Sequence, residues 1–185
     1  MKTISLDYKG SCQEEEWKDS CRKARMDAVS YIGHSTKSSG KISGWLLKKS
    51  YPDSIIAFVI QELKEEGVIR DDNMADAILR SRKGSKLESS SSVRNRMIRH
   101  GIDPEIAENC VEEAYKEEGR ELSDAIILLR LKFGRKIDTI DESNPTEHLR
   151  FQQKTFRFLL GRGYGRGIAL TAMNAVFKEQ AFIEE

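Results

Sequence analysis

The tetrapeptide Lys-Glu-Glu-Gly stands at residues 64–67 and again at 116–119, an interval of 52 positions. Pro52 and Pro104 are separated by the same interval, each fifteen residues ahead of its glycine. A helix written twice constrains the fold more than any bulk property. A unit too small to bury its own apolar face must stack against copies of itself. In "PDSIIAFVIQELKEEG", Ile55, Ile56, Val59, Ile60 and Leu63 fall on one helical stripe. Pro52 suits a first turn, where its missing N–H costs nothing, and Gly67 suits the residue that ends a helix. "DPEIAENCVEEAYKEEG" repeats the design, with Asp103 as N-cap, Ile106, Ala107, Cys110, Val111 and Ala114 as the stripe, and Gly119 at the end. The stripes register best at a shift of 51 and the ends at 52, so one residue has slipped.

A third copy lies near the C-terminus. "RHGIDPEIAENCVEEAY" aligns with "GRGYGRGIALTAMNAVF" at a shift of 62, pairing Gly101 with Gly163, Val111 with Met173 and Tyr115 with Phe177. Upstream, "AILRSRKGSK" (77–86) aligns with "ILLRLKFGRK" (127–136) at a shift of 50. The pattern predicts an all-α fold, an elongated curved array of three tandem three-helix repeats. Helices are expected near 15–32, 41–50 and 52–66, then 71–83, 88–100 and 103–118, then 120–133, 145–162 and 165–180. The domain boundaries follow: an N-terminal extension at 1–14 and repeats at 15–69, 70–119 and 120–185. Ile60, Val111 and Met173 should be buried at equivalent places. "TISLDY" (3–8) has weak strand character and no obvious partner, "GHSTKSSGK" (33–41) and 134–147 read as loops, and "SSSS" (89–92) reads as a ragged helix start.

Chemistry-bearing patterns are sparse. No apolar run approaches the roughly 20 residues that span a bilayer. The N-terminus lacks the apolar core of a signal peptide, so a cytoplasmic protein is expected. Three cysteines with no Cys-x-x-Cys pair suggest reduced thiols. His34, His100 and His148 form no metal-ligand spacing, and no serine has a base set beside it, so neither an enzyme nor a cofactor is expected. Asp71 and Asp72 resemble a catalytic carboxylate pair, but at a helix start capping is the better reading. "GRGYGRG" (161–167) follows a helix rather than a strand, which argues for a helix end over a phosphate cradle.

The charge distribution is more informative than the net charge of +1. Residues 80–100 hold seven Lys/Arg against Glu88, 101–125 hold nine acids and two bases, and 130–166 hold nine bases and four acids. Such blocks cancel in the total but not in space. The basic blocks recur at matched repeat positions, which points to a long, periodic, charged partner.

Several features in order then carry a family resemblance. These are Lys48, Lys49 and Tyr51 closing a helix, "LKEEGVIRDD" (63–72), an Arg-rich helix ending at Gly84, "RHGID" (99–103), and "FLLGRGY" in the last unit. Together, across about residues 17–178, the chain resembles the RecX family of bacterial regulatory proteins. Met74 near the place of the family's usual aromatic, the serine run and the 134–147 insertion depart from the pattern. The resemblance implies regulation without catalysis: binding to RecA and to its filament on single-stranded DNA, and inhibition of its ATPase, strand-exchange and coprotease activities. A monomer with no membrane association is expected. The residues expected to face the filament are Arg80, Arg82, Lys83, Lys86, Arg94, Arg96, Arg99, Arg130, Lys132, Arg135, Lys136, Arg157 and Arg162. The alternative is a helical module that binds nucleic acid directly, since an Arg-rich second helix in a three-helix unit also suits DNA readers.

Overall fold

The computed structural model describes residues 7–140 and 144–178, with side chains from Glu14 to Phe177 within that span. All regular structure among the described residues is helical: α1 (Asp7–Ile32), α2 (Ser39–Lys48), α3 (Asp53–Glu65), α4 (Asp71–Ser81), a 3₁₀ turn (Gly84–Lys86), α5 (Ser90–Arg99), α6 (Pro104–Ala114), α7 (Arg120–Ile137), α8 (Pro145–Gly161) and α9 (Arg166–Lys178). The N-terminal extension expected at 1–14 is helical from Asp7, consistent with the good helix formers of Gln13–Glu16. Asp7 and Tyr8 of the possible strand are therefore helical, and residues 3–6 lie outside the described residues. α7 runs four residues past the expected end at 133, to Ile137, because Ile137 is fully buried and continues the stripe of Leu129 and Phe133.

The helices pack into two compact units. The first runs to Met74 and takes in Arg99–Asp103; the second holds Ala75–Ile98 and everything from Pro104 on. In the first unit α1, α2 and α3 bury Ala24, Ala28, Ile42, Leu46, Val59 and Leu63 against one another. In the second, α7, α8 and α9 bury Leu128, Leu129, Phe151, Leu159, Ala172 and Val176. Ile60, Val111 and Met173 are all under 9% exposed, on α3, α6 and α9 respectively. Truncating Ile60 to Ala should cost about 2–4 kcal/mol, from lost burial plus the cavity left behind, as read by urea denaturation. A loss below about 1 kcal/mol would contradict the packing.

Similar ties recur at matching places. Ser38, the N-cap of α2, donates from its hydroxyl to the carbonyl of His100, and Gly40 N–H donates to the carbonyl of Gly101. Ser39 donates N–H and O–H to the buried carboxylate of Asp71 at the start of α4. In the second unit, Ser89 N–H donates to the carbonyl of Arg162, and Ser90 donates N–H and O–H to Glu121 at the start of α7. Each serine pair thus ties a helix start to the start of another helix and to a glycine turn. The turns themselves match: Gly101 and Gly163 hold φ of 80° and 87°. A Cβ on Gly101 would stand 2.7 Å from Ser38 Oγ, and one on Gly163 2.6 Å from Ser89 Oγ. Only glycine fits there, for both the dihedral and the space.

Two tyrosines follow left-handed helix ends, Tyr51 after Ser50 and Tyr164 after Gly163, and their hydroxyls differ. Tyr51 donates its hydroxyl to Asp27 at 2.8 Å. Tyr164, only 2% exposed, has a buried hydroxyl with no hydrogen-bond partner among the described residues. Burial pushes its phenol well above the ordinary value. Tyr164→Phe removes an unpaired polar atom and keeps the ring. It should leave stability unchanged or raise it by about 1 kcal/mol, whereas Tyr51→Phe should lower it. A clear loss of thermal stability in Tyr164→Phe would reveal a partner for the hydroxyl.

Candidate functional site

The thirteen basic residues expected at a partner surface divide by what they touch. Glu88, largely buried beside α5, receives Arg96 through two bonds, at 3.0 and 2.5 Å, and Arg82 lies 3.9 Å away. That carboxylate raises the Arg96 guanidinium above its ordinary pKa. Arg94 on α5 reaches Glu108 on α6 at 2.5 Å. Arg80 sits 3.8 Å from Asp76, one turn earlier on α4. Arg130 donates to Asp138 at 3.0 Å and to the Val176 carbonyl at 3.3 Å. Lys136 pairs with Glu147 at 3.3 Å and lies over the Phe151 ring, while Arg162 lies over Phe158 and donates to the Leu87 carbonyl. All seven have partners within the fold, although the Arg80 pair stays within α4. A largely buried carboxylate bonded to arginine is costly to break, so Arg96 in particular serves the fold first.

The other six, Lys83, Lys86, Arg99, Lys132, Arg135 and Arg157, are exposed, with no ion pair among the described residues. Arg99 belongs to the first unit, the other five to the second. Lys132 and Arg135 lie on α7 and Arg157 on α8, two helices that pack on each other through Phe133. Phe133 meets Phe151 and Phe158 edge to face, at 5.8 and 5.2 Å between centroids. Lys154 crosses from α8 to lie 5.8 Å from the centre of the Phe133 ring. Arg150, Lys154 and Arg157 are spaced four and three residues apart, one exposed stripe along α8. Arg150 and Lys154 lie outside the thirteen, although that spacing is visible in the sequence. Beside the stripe, Arg135, Lys136, Thr139, Ile140 and Glu147 line an open cleft of about 410 Å³. The α7–α8 face therefore combines five free or loosely held cations with half-buried phenylalanine rings, chemistry that suits an extended anionic surface.

Among the described residues no cluster of three or more His, Cys, Asp or Glu side chains is placed to hold a metal ion, and no helix is long and apolar enough to cross a membrane. No protein-family model matches the chain. Individual proteins do. A regulatory protein RecX of Clostridium botulinum is 26% identical over 151 residues, 82% of this chain and 67% of the relative. One from Bacillus cytotoxicus is 22% identical over 166 residues, 89% of this chain and 57% of the relative. One from Mycobacterium tuberculosis is 24% identical, over 86% of this chain and 88% of the relative. The chain is related to the RecX regulatory proteins. The crystal structure of RecX from Lactobacillus salivarius superposes with a TM-score of 0.64 at 18% identity, over 89% of this chain and 99% of that one. A second RecX crystal structure gives 0.63 at 18% identity, over 97% and 81%. At that identity the structures speak for the fold, which is the helical RecX fold.

Proposed function

We propose that this chain binds RecA, or its filament on single-stranded DNA, and restrains the filament's ATPase, strand-exchange and coprotease activities. The observation that carries the reading is the relation to RecX proteins over more than four-fifths of the chain. The arrangement of side chains supports a protein that acts by contact. Its exposed cations line a helix face, and the tied serine starts keep neighbouring helices in fixed register. A ligand that binds one conformation of a filament better than the other shifts the filament toward it without doing chemistry. In this reading the chain acts as a monomer in the cytoplasm, and the α7–α8 cations face the partner.

The test is RecA ATPase activity on single-stranded DNA with the purified chain titrated in, beside a pull-down of RecA with and without DNA and a non-hydrolysable nucleotide. Dose-dependent inhibition and nucleotide-dependent capture are expected. Neither effect at micromolar protein would sink the reading. The exposed stripe of Arg150, Lys154 and Arg157 favours a second reading, a module that binds nucleic acid directly. It predicts the same inhibition only at protein levels that coat the DNA.

A further inference from the structure

The first unit carries a surface that the basic blocks of the sequence do not include. Tyr31, in the last turn of α1, and Trp45, in α2, stack at 4.7 Å with their planes 10° apart. The Lys37 ammonium lies 4.9 Å from the centre of the Tyr31 ring, and that of Lys49 lies 5.5 Å from the centre of Trp45. Rings this close leave no room between them, so each ammonium caps an outer side. The order is cation, ring, ring, cation. On α2, Lys41 and Lys48 are exposed four residues before and three after Trp45, on its side of the helix. Nothing beyond the neighbouring residues of α2 comes within 4 Å of where a Cβ on Gly44 would stand, so α2 is open at Gly44, next to Trp45 in the chain. Residues 28–52 contain no Asp or Glu. Asp27, just upstream, is already bound by Lys49 at 2.7 Å and by the Tyr51 hydroxyl.

The two lysines are not equivalent. Lys49 is anchored by Asp27, so the outer side of Trp45 stays covered. Lys37 sits on the 33–38 connection and its other contact is the Ser35 hydroxyl. The side of Tyr31 is the one that can exchange its cover. We propose that this stack is a base-stacking site for single-stranded nucleic acid. A nucleobase takes the outer face of Tyr31, and the displaced Lys37 ammonium, with Lys41 and Lys48, meets the flanking phosphates. A flat ring uses the aromatic face and a phosphate uses the freed charge, and stacking of this kind tolerates any base. An acidic peptide satisfies the lysines but gains nothing from the ring. The site belongs to the first unit and the α7–α8 cations to the second, and it does not depend on RecA binding.

The chain has two tryptophans, so Trp17→Phe leaves Trp45 as sole reporter. A short oligo(dT) titrated into the full-length W17F chain should quench that fluorescence to saturation. Adding Tyr31→Leu should weaken binding about tenfold. Adding Lys37→Glu and Lys41→Glu, which alter the lysines and leave both rings in place, should weaken it as much or more at low salt. Heparin and poly-glutamate, polyanions without bases, should bind the W17F chain and its Tyr31→Leu derivative alike. No quenching by oligo(dT), or an equal response to oligo(dT) in both proteins, overturns the proposal, as does poly-glutamate binding with the same dependence on Tyr31. RecA inhibition by the unaltered chain is read separately, so either result can fail while the other stands.

Discussion

Replacing Asp71 by Ala is expected to cost the first unit about 4 kcal/mol of stability. Asp71 is 3% exposed, and one carboxylate oxygen accepts the Ser39 N–H at 3.0 Å while the other accepts the Ser39 hydroxyl. Hydrogen bonds to a charged group are worth about 1.5–3 kcal/mol each when a buried partner is stranded. The carboxylate also sits at the N-terminus of α4 and against the first turn of α2, so it meets the positive ends of two helix dipoles. Asp71→Asn retains one good acceptor and loses the charge, and should fall between Ala and wild type. Glu121→Ala removes the matching tie in the second unit, where one oxygen takes both Ser90 bonds and the residue is only half-buried. Its cost should be smaller, about 2 kcal/mol. Urea denaturation followed by tryptophan fluorescence reads the first unit, since Trp17 and Trp45 both lie there. An Asp71→Ala loss under about 1 kcal/mol, or a larger loss in Glu121→Ala, would show that these ties are incidental.

The serine–carboxylate ties also mark where the sequence stopped being readable. Helix ends set by local chemistry were legible: Pro52 and Pro104 open α3 and α6 within a residue, and Gly67 and Gly163 take the left-handed turns expected of them. "GHSTKSSGK" reads as a loop running to 41, yet α2 begins at Ser39. The serine run at 89–92 reads as a ragged start, yet it holds three of the recurring bonds. In the sequence Asp71 reads as a cap for its own helix. It does stand at a helix start, but its oxygens serve Ser39, 32 residues away. Nothing local in the sequence announces a partner that distant. The recurrence of the ties at Ser39 and Asp71, then Ser90 and Glu121, supports the proposal of a repeated three-helix unit. The packing boundary follows the bonds instead, because the His100 and Gly101 carbonyls hold residues 99–103 against the start of α2.

Charge was legible in the same partial way. The sequence locates every arginine but not which of them spends its charge inside the fold, so Arg94 and Arg96 stood beside Lys132 and Arg157 as equals. The structure separates them, and the functional prediction changes with it. Reversing Lys132, Arg135 and Arg157 to Glu should leave the helical content and unfolding midpoint near wild type, because exposed charges without partners contribute about 0–1 kcal/mol each. The same triple variant should need about tenfold more protein to inhibit the RecA ATPase, since each reversal opposes an anionic partner. Screening fixes the sign of the salt dependence. Wild-type inhibition should weaken as salt rises, and the gap between wild type and variant should narrow, because the interaction the variant lacks is the one salt suppresses. Arg96→Glu is the contrasting case. It sets a second carboxylate against the largely buried Glu88, so it should lower stability by about 3–5 kcal/mol before any partner is added. Arg96→Glu with normal stability would remove the distinction drawn between the two sets. A folded triple variant that inhibits like wild type at low salt would move the partner surface off the α7–α8 face.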